Sequence, residues 1–502
     1  MSELTRARGT GVMSRRDFLA ATAAVTLSRE SLARRTPADR GATRGVTGPT
    51  ELAIPADGAV DLVIDRTRMQ VAGRPTELAI TINGTIPGPT LRMCEGQEVV
   101  IRVQNRLRDE DTSVHWHGLI VPTTMDGVPG VSFAGIRPGE TFTYRFKVRQ
   151  SGTYWYHSHS GPQEQLGHYG AIIIDPAGPE PFTYDREYVV VLSDWTFEDP
   201  NRVLTKLKTL PGYYNYQRPT LANLMVQAQQ EGLGNALRQR LQWDAMRMDP
   251  TDIADVTGAT YTYLMNGRSP EENWTAVARS GQRVRLRLIN AGTGTFFDFR
   301  IPGLPMTLVA ADGQYVKPVN TDELRIAVAE TYDVLVMLPE DRAYTLFAET
   351  MDRSGHARGT LAPREGMSAA IPRRRQRPML TMADMGMAGM AGGSMAGMDM
   401  NGKTAAQSAA SHTSSGAGHD MPSGHDVSGA WTTEAETLPT EDLPVSVMHG
   451  PDNHGPDNSM IAMMAQRRYA EPGIGLGQDG WRGLTYADLR ALRPLPDRRA
   501  PD

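Results

Sequence analysis

Residues 115–118 read His-Trp-His-Gly, and residues 157–159 read His-Ser-His. Side chains of a β-strand alternate between its two faces, so the two histidines of each motif point the same way, about 6.5–7 Å apart. Both motifs lie in strand-like runs, 113–117 and 153–157. If the two strands are neighbours, four imidazoles converge on one small volume.

The four histidines of these motifs have the chemistry of a metal site. Neutral imidazole is a good ligand for copper, zinc, iron and nickel. A single histidine is most often structural, but two His-x-His pairs flanked by aromatic residues are difficult to explain by chance. The sequence therefore predicts a metal site made of His115, His117, His157 and His159.

The paired motifs resemble the first two copper motifs of the multicopper oxidases, most closely those of the copper-resistance protein A branch. Further stretches carry the same resemblance: 81–89 (Thr-Ile-Asn-Gly-Thr-Ile-Pro-Gly-Pro), 125–130 (Met-Asp-Gly-Val-Pro-Gly), 330–333 (Glu-Thr-Tyr-Asp) and 448–455 (Met-His-Gly-Pro-Asp-Asn-His-Gly). The resemblance implies copper as cofactor and a periplasmic oxidase of Cu(I), or of phenolic substrates, that reduces O2 to water.

The resemblance also implies a role for each residue. His115 would bind a type 2 copper, and His117, His157 and His159 would bind a type 3 copper pair. Asp126 matches an acidic residue near this cluster and would relay protons. The alternative, a turn-forming aspartate before a glycine, stays open at this stage.

The sequence departs from the family pattern in its second half. A complete member carries a His-Pro-x-His-x-His run and a His-Cys-His run, and neither occurs here. The single cysteine, Cys94, has no histidine beside it, whereas a type 1 blue copper needs a thiolate with two histidines. We therefore expect a chain shortened before its third cupredoxin domain, inactive alone unless a separate chain supplies the missing ligands. The alternative is a non-catalytic periplasmic protein that binds and sequesters copper.

The many short strands and frequent turns predict an all-β sandwich or barrel, and the resemblance specifies tandem cupredoxin-like Greek-key barrels. Leucine and methionine recur at near-helical spacing from 220 to 248, which predicts a helical insertion in the second barrel.

No histidine occurs between His168, which matches no ligand position, and His356, so the second barrel is expected to be structural. The expected segments are a twin-arginine signal peptide (1–33), cupredoxin domain 1 (50–178), cupredoxin domain 2 (185–362), a Met/His-rich linker (363–430) and a lead-in to a third domain (431–502).

The linker concentrates soft metal ligands. They are Met379, Met382, Met385, Met387, Met390, Met395, Met398, Met400, His412, His419, Met421 and His425. Thioethers favour Cu(I), so the tract is predicted to collect Cu(I), and with little bulky apolar surface it should be disordered without metal. A flexible linker without metal binding is the alternative. The basic run 373–377 before it is expected to be solvated.

The net charge of the chain bears on whether it binds nucleic acid, and its N-terminal residues bear on its location in the cell. The chain has 52 lysine and arginine against 57 aspartate and glutamate residues, a formal net charge of −5 that argues against nucleic acid as a partner. Residues 14–20 read Ser-Arg-Arg-Asp-Phe-Leu-Ala, which predicts export to the periplasm by the twin-arginine route. The apolar run that follows is shorter than the roughly 20 residues that span a bilayer, and no transmembrane helix is expected.

Overall fold

The structure is a computed structural model. It describes residues 50–55, 58–246, 248–381, 384–385, 445–446, 464–465, 468–477 and 479–493. The predicted signal peptide and most of the Met/His-rich tract lie outside the described residues. In the part of the chain that is described, no helix is long and apolar enough to cross a membrane.

The first β-unit contains two sheets that share one apolar core. Its strands are β1 (Glu51–Ala53), β2 (Ala59–Arg66), β3 (Met69–Val71), β4 (Arg74–Thr76), β5 (Ile80–Ile82), β6 (Thr90–Cys94), β7 (Glu98–Asn105), β8 (His115–His117), β9 (Thr141–Lys147), β10 (Gly152–His157) and β11 (Tyr169–Asp175). One sheet has the order β1-β6-β11-β10-β8 and the other β5-β2-β7-β9, while β3 and β4 form a separate hairpin. In β7, Val99, Ile101 and Val103 are fully buried while the residues between them are more exposed, the alternation of a half-buried strand.

The second β-unit also contains two sheets around one core. Its strands are β12 (Arg186–Thr196), β13 (Tyr261–Met265), β14 (Trp274–Val277), β15 (Arg283–Asn290), β16 (Phe297–Arg300), β17 (Met306–Ala311), β18 (Gln314–Thr321), β19 (Glu323–Ile326), β20 (Thr331–Met337), β21 (Tyr344–Thr350) and β22 (His356–Ala362). The sheet orders are β13-β12-β15-β20-β17-β18 and β14-β22-β21-β16-β19. Two short strands, β23 (Val445–Ser446) and β24 (Met464–Ala465), pair with each other.

Three helices interrupt the second unit between β12 and β13: α1 (Pro200–Thr209), α2 (Leu221–Glu231) and α3 (Leu233–Ala245). The predicted helical insertion is confirmed as α2 and α3, which are separated by Gly232 at a φ of +87°. The sequence prediction missed α1, although Asp199 caps its first turn and Pro200 occupies its first position. The all-β class with tandem cupredoxin-like barrels is confirmed.

The two β-units are joined by a buried apolar contact. Every residue of β10 is buried, because one face of the strand belongs to the first core and the other packs on the second unit. Trp155 and Ile173 of the first unit lie in one cluster with Val191 and Ile289 of the second. The strand that ends at His157 is therefore fixed from both sides.

A network of buried charges crosses the same interface. Asp333 accepts hydrogen bonds from Arg285 at 2.5 Å and from Thr153 of β10 at 2.7 Å. Arg287 donates to Thr153 at 2.7 Å and pairs with Glu187 at 2.7 Å. Asp333 belongs to the stretch 330–333 that carries part of the family resemblance, and its contacts give that stretch a structural role at the interface.

The basic run 373–377 is only partly the solvated segment that the sequence predicts, because Arg373, Arg374 and Gln376 are exposed whereas Arg375 and Arg377 are half-buried. Arg375 is half-buried and forms ion pairs with Glu323 and, at 2.7 Å, with Asp479. Arg377 donates to the carbonyl oxygen of Thr251 at 2.6 Å. The prediction was wrong for Arg375, because the fully buried carboxylate of Glu323, with which it pairs, comes from a distant strand.

Residues from 468–477 and 479–493 contact the second unit. Leu476 and Leu484 are buried there, and Ala491 forms a β-bridge with Val316 of β18. The division of the chain into five segments, including a lead-in to a third domain at 431–502, stays a prediction.

Candidate metal centre

The structure brings the four histidines of the two motifs together. Strands β8 and β10 are antiparallel neighbours, with His115 opposite His157 and His117 opposite Trp155. His159 follows two residues after the end of β10. The ring centroids lie 4.5 Å apart for His115 and His159, 5.5 Å for His115 and His157, 5.0 Å for His157 and His159, and 5.4 Å for His117 and His157.

Three of these imidazoles form one compact set of donor atoms. One nitrogen each of His115, His157 and His159 lies within 4.8 Å of the other two. His117 is not a member of this set, but its Nδ1 lies 3.3 Å from Nε2 of His157. His157 therefore belongs to both the set of three and the close pair. His115 is grouped with His157 and His159 and does not stand apart from them.

Two of the rings have their Nδ1 atoms already engaged. Nδ1 of His115 lies 2.8 Å from the carbonyl oxygen of Asp126 and 3.3 Å from its carboxylate. Nδ1 of His157 lies 2.8 Å from the carboxylate of Glu164 and 3.2 Å from the carbonyl oxygen of Ser158. A neutral imidazole that donates from Nδ1 presents Nε2 as an acceptor. In that tautomer both rings would offer Nε2 to a metal ion.

The loop that carries Asp126 is held tightly against the start of β8. Gly127 has a φ of +78°, and a Cβ atom at that position would lie 1.8 Å from the carbonyl oxygen of Val114. Only glycine fits this close approach without strain. The Asp-Gly pair thus places Asp126 beside His115. Asp126 therefore both belongs to the turn before Gly127 and contacts the imidazole.

Three of the four imidazoles, those of His115, His117 and His159, have lowered pKa values. Burial and the nearby rings of His157 and His115 lower the pKa of His117 to about 4. Burial is also the main reason why the pKa values of His115 and His159 lie below the usual value. Since a protonated imidazole has no free lone pair, these shifts favour metal binding at neutral pH.

His168, which the sequence places at no ligand position, is fully buried and lies outside the set of three donors. Its Nδ1 lies 3.4 Å from Oγ1 of Thr112. Burial, together with the nearby ring of His157, lowers the pKa of His168 to about 3. The structure thus gives it the environment of a neutral core histidine.

These pKa shifts predict that the metal-free protein loses stability in mild acid. In the unfolded chain His117 and His168 take up protons near pH 6.5, whereas in the folded chain they do so only near pH 4 and 3. The unfolded state therefore binds more protons as the pH falls below about 6.5, and the free energy of unfolding decreases. Urea denaturation between pH 7.5 and 4 measures this slope. His168→Asn should reduce it, and an unchanged slope in that variant would contradict the role given to His168.

The sequence analysis did not predict two side chains that contact the candidate site, those of Trp155 and Glu164. Trp155 stacks on the ring of His157 with centroids 4.1 Å apart and an angle of 12° between the planes. Glu164 binds the same ring at Nδ1. The only signal in the sequence was the position of Glu164 five residues after the second motif, since a carboxylate close to a ligand histidine is a common orienting partner.

Cys94 lies at the far end of the sheet. Along β11, Tyr169 pairs with His157 and Asp175 pairs with Cys94. Tyr169 and Asp175 are six residues apart on this strand, so His157 and Cys94 lie about 20 Å apart along the strand direction. Cys94 cannot join the four imidazoles.

Of the predicted Cu(I)-collecting residues, the structure describes two: Met379 is exposed, and Met385 is half-buried. Met382, Met387, Met390, Met395, Met398, Met400, His412, His419, Met421 and His425 lie outside the described residues.

Comparisons with known proteins agree with the resemblance seen in the sequence. Two family models described as multicopper oxidase match residues 63–178 and 186–371. Copper resistance protein A of Escherichia coli is 51% identical over 446 residues, which cover 88% of this chain and 73% of that protein. The chain belongs to the multicopper oxidase family. Copper is therefore its cofactor.

Other multicopper oxidases are also similar to the chain. The copper resistance protein A homolog of Pseudomonas syringae pv. tomato is 49% identical over 441 residues, covering 88% of this chain and 72% of the homolog. Among solved structures, the laccase from Botrytis aclada is 26% identical, and the match covers 66% of this chain and 56% of the laccase chain, with a TM-score of 0.48.

Proposed function

We propose that this multicopper oxidase binds copper through His115, His117, His157 and His159. The observation that carries the proposal is the convergence of three imidazole nitrogens within 4.8 Å, with His117 Nδ1 3.3 Å from His157 Nε2. The donor set fits copper, for which imidazole is a common ligand. The proposed assignment is His115 to a type 2 copper and His117, His157 and His159 to a type 3 pair.

The proposed activity is oxidation of Cu(I), or of phenolic substrates, in the periplasm after export by the twin-arginine route. Copper, when bound, supplies the electron transfer and the reduction of O2 to water. Burial lowers the pKa values of His115, His117 and His159, which favours their neutral form, while Trp155 and Glu164 restrict the ring of His157. We propose that the partly exposed carboxylate of Asp126 relays protons between solvent and the site, and its distance of 3.3 Å from Nδ1 of His115 supports this role.

A second candidate function is copper binding and sequestration without turnover. The observation that favours it is the position of Cys94, the only cysteine of the sequence, at the opposite end of the sheet from His157. A type 1 centre needs a thiolate ligand, so such a centre would need a separate chain as partner. In this proposal the Met/His-rich tract from Met379 to His425 collects Cu(I).

Oxidation would require a separate chain that supplies the type 1 centre. We therefore expect the copper-loaded chain by itself to be neither intensely blue nor able to consume O2 with Cu(I) as substrate. The intense colour of a type 1 centre comes from its copper–thiolate bond, and Cys94 is too far from the histidines to form one. The measurement is the visible spectrum and the oxygen consumption of the purified chain loaded with copper.

Cys94→Ala is the matched control for this measurement, because it removes the only thiol without touching the histidines. Its spectrum should be the same as that of the parent chain. An intense blue band that disappears in Cys94→Ala would make Cys94 a copper ligand and would refute the expectation that the chain by itself forms no type 1 centre.

A further inference from the structure

The turn between β10 and β11 carries three consecutive polar side chains, Gln163, Glu164 and Gln165, which reach three different parts of the molecule. Residues Glu164–Leu166 form a single 3-10 turn. Gln163 binds residues before β8, Glu164 binds His157, and Gln165 binds the second β-unit. The turn thus connects the candidate metal centre to the second β-unit.

The contact of Glu164 with His157 has the geometry of an orienting partner. Oε2 of Glu164 lies 2.8 Å from Nδ1 of His157, closer than the carbonyl oxygen of Ser158 at 3.2 Å. The imidazole is 9% exposed and the carboxylate 20%. Trp155 stacks on the ring and fixes its plane. The carboxylate then determines which nitrogen carries the proton.

Gln163 and Gln165 keep Glu164 in place. Both are buried. Oε1 of Gln163 accepts from Thr112 at 2.7 Å and from Ser158 at 2.9 Å. The amide group of Gln165 donates to the carbonyl oxygen of Asp194 at 2.9 Å.

Two further partners of Gln165 also belong to the second β-unit. Its Oε1 accepts from Tyr261 at 2.9 Å and from Thr293. Moving the turn would break several buried hydrogen bonds and leave their polar groups unsatisfied inside the protein, which is unfavourable.

We propose that Glu164 is a positioning residue that holds His157 in the tautomer protonated at Nδ1, so that Nε2 faces the metal. The proposal rests on the proposed copper site. Carboxylate partners of ligand histidines orient the ring and raise its basicity, and their removal typically weakens metal binding by about 10–100-fold. The second β-unit, through Gln165, thereby contributes to the geometry of a site to which it gives no ligand.

The test compares the full chain with Glu164→Ala and Glu164→Gln. The first readout is the tautomer of His157 in the metal-free protein, measured by long-range nitrogen–proton NMR with labelled histidine. The second is the affinity for Cu(II), measured by competition with a chelator. In Glu164→Ala we expect a larger Nε2-protonated population at His157 and about 10–100-fold weaker Cu(II) binding.

Glu164→Gln should restore part of the Nδ1-protonated population of His157 and part of the Cu(II) affinity, because the amide oxygen can still accept a hydrogen bond from Nδ1. Glu140→Gln, at an exposed glutamate in the turn before β9, is the matched control and should leave both unchanged. An unchanged tautomer together with an affinity within about twofold of the parent in Glu164→Ala would overturn the proposal. If the parent chain itself does not bind Cu(II), the proposed function fails, whereas the tautomer measurement still decides the role of Glu164.

Discussion

Replacing His157 by alanine is expected to abolish specific copper binding at the candidate centre, with a loss of affinity above about 100-fold. His157 is shared by the set of three nitrogens and by the close pair with His117, so its removal takes a donor from both. A lost ligand costs more than the 10–100-fold typical of a lost orienting partner. The measurement is copper stoichiometry and affinity at neutral pH with the purified full chain.

His356→Gln is the control for this substitution. His356 begins β22 of the second unit and is not part of the donor set. Its replacement should leave the copper affinity unchanged, and circular dichroism would establish that both variants are folded. Equal copper binding by His157→Ala and the parent chain would show that the four-histidine face is not the binding site.

Replacing Asp333 by alanine is expected to lower the free energy of unfolding by about 3–5 kcal/mol, the range measured when one partner of a buried ion pair is removed. Arg285 and Arg287 are 0% and 1% exposed, so both guanidinium groups would lose a carboxylate inside the protein. Thr153 of β10 would lose a hydrogen bond as well. Urea denaturation followed by tryptophan fluorescence measures the change.

Asp61→Ala is the matched control, because Asp61 forms the same type of paired contact with Arg102 at the surface. Its two hydrogen bonds are 2.6 and 2.8 Å long, but the side chains are 60% and 47% exposed. Exposed pairs contribute about 0–1 kcal/mol. A cost for Asp333→Ala no larger than that for Asp61→Ala would contradict the stabilising role of the network at the interface.

The helical insertion shows what the spacing of apolar residues can predict and what it cannot. The spacing of its leucines and methionines predicted helices correctly, yet Leu221, Met225, Leu233 and Leu241 are all more than half exposed. Amphipathic spacing indicates which residues share a face of a helix. It does not indicate what that face contacts in the folded chain.

The prediction that the basic run 373–377 is solvated was wrong at Arg375 for a related reason. A local cluster of arginines usually indicates a solvated segment, and the ion pair of Arg375 with Glu323 could not be read from the neighbouring sequence. Contacts between residues so far apart in the chain depend on tertiary packing, which has no local signature.

The sequence by itself determined that His115 and His117 share one strand face, because a β-strand repeats every two residues. It also determined that the candidate ligands are imidazoles and that the sequence contains one thiol. Tertiary structure alone decided that β8 and β10 are neighbours in register, that Glu164 reaches Nδ1 of His157, and that Asp333 ties β10 to the second unit. The physical reason is that alternation within a strand is a local property of the backbone, whereas register, ring orientation and buried ion pairs depend on contacts between distant segments.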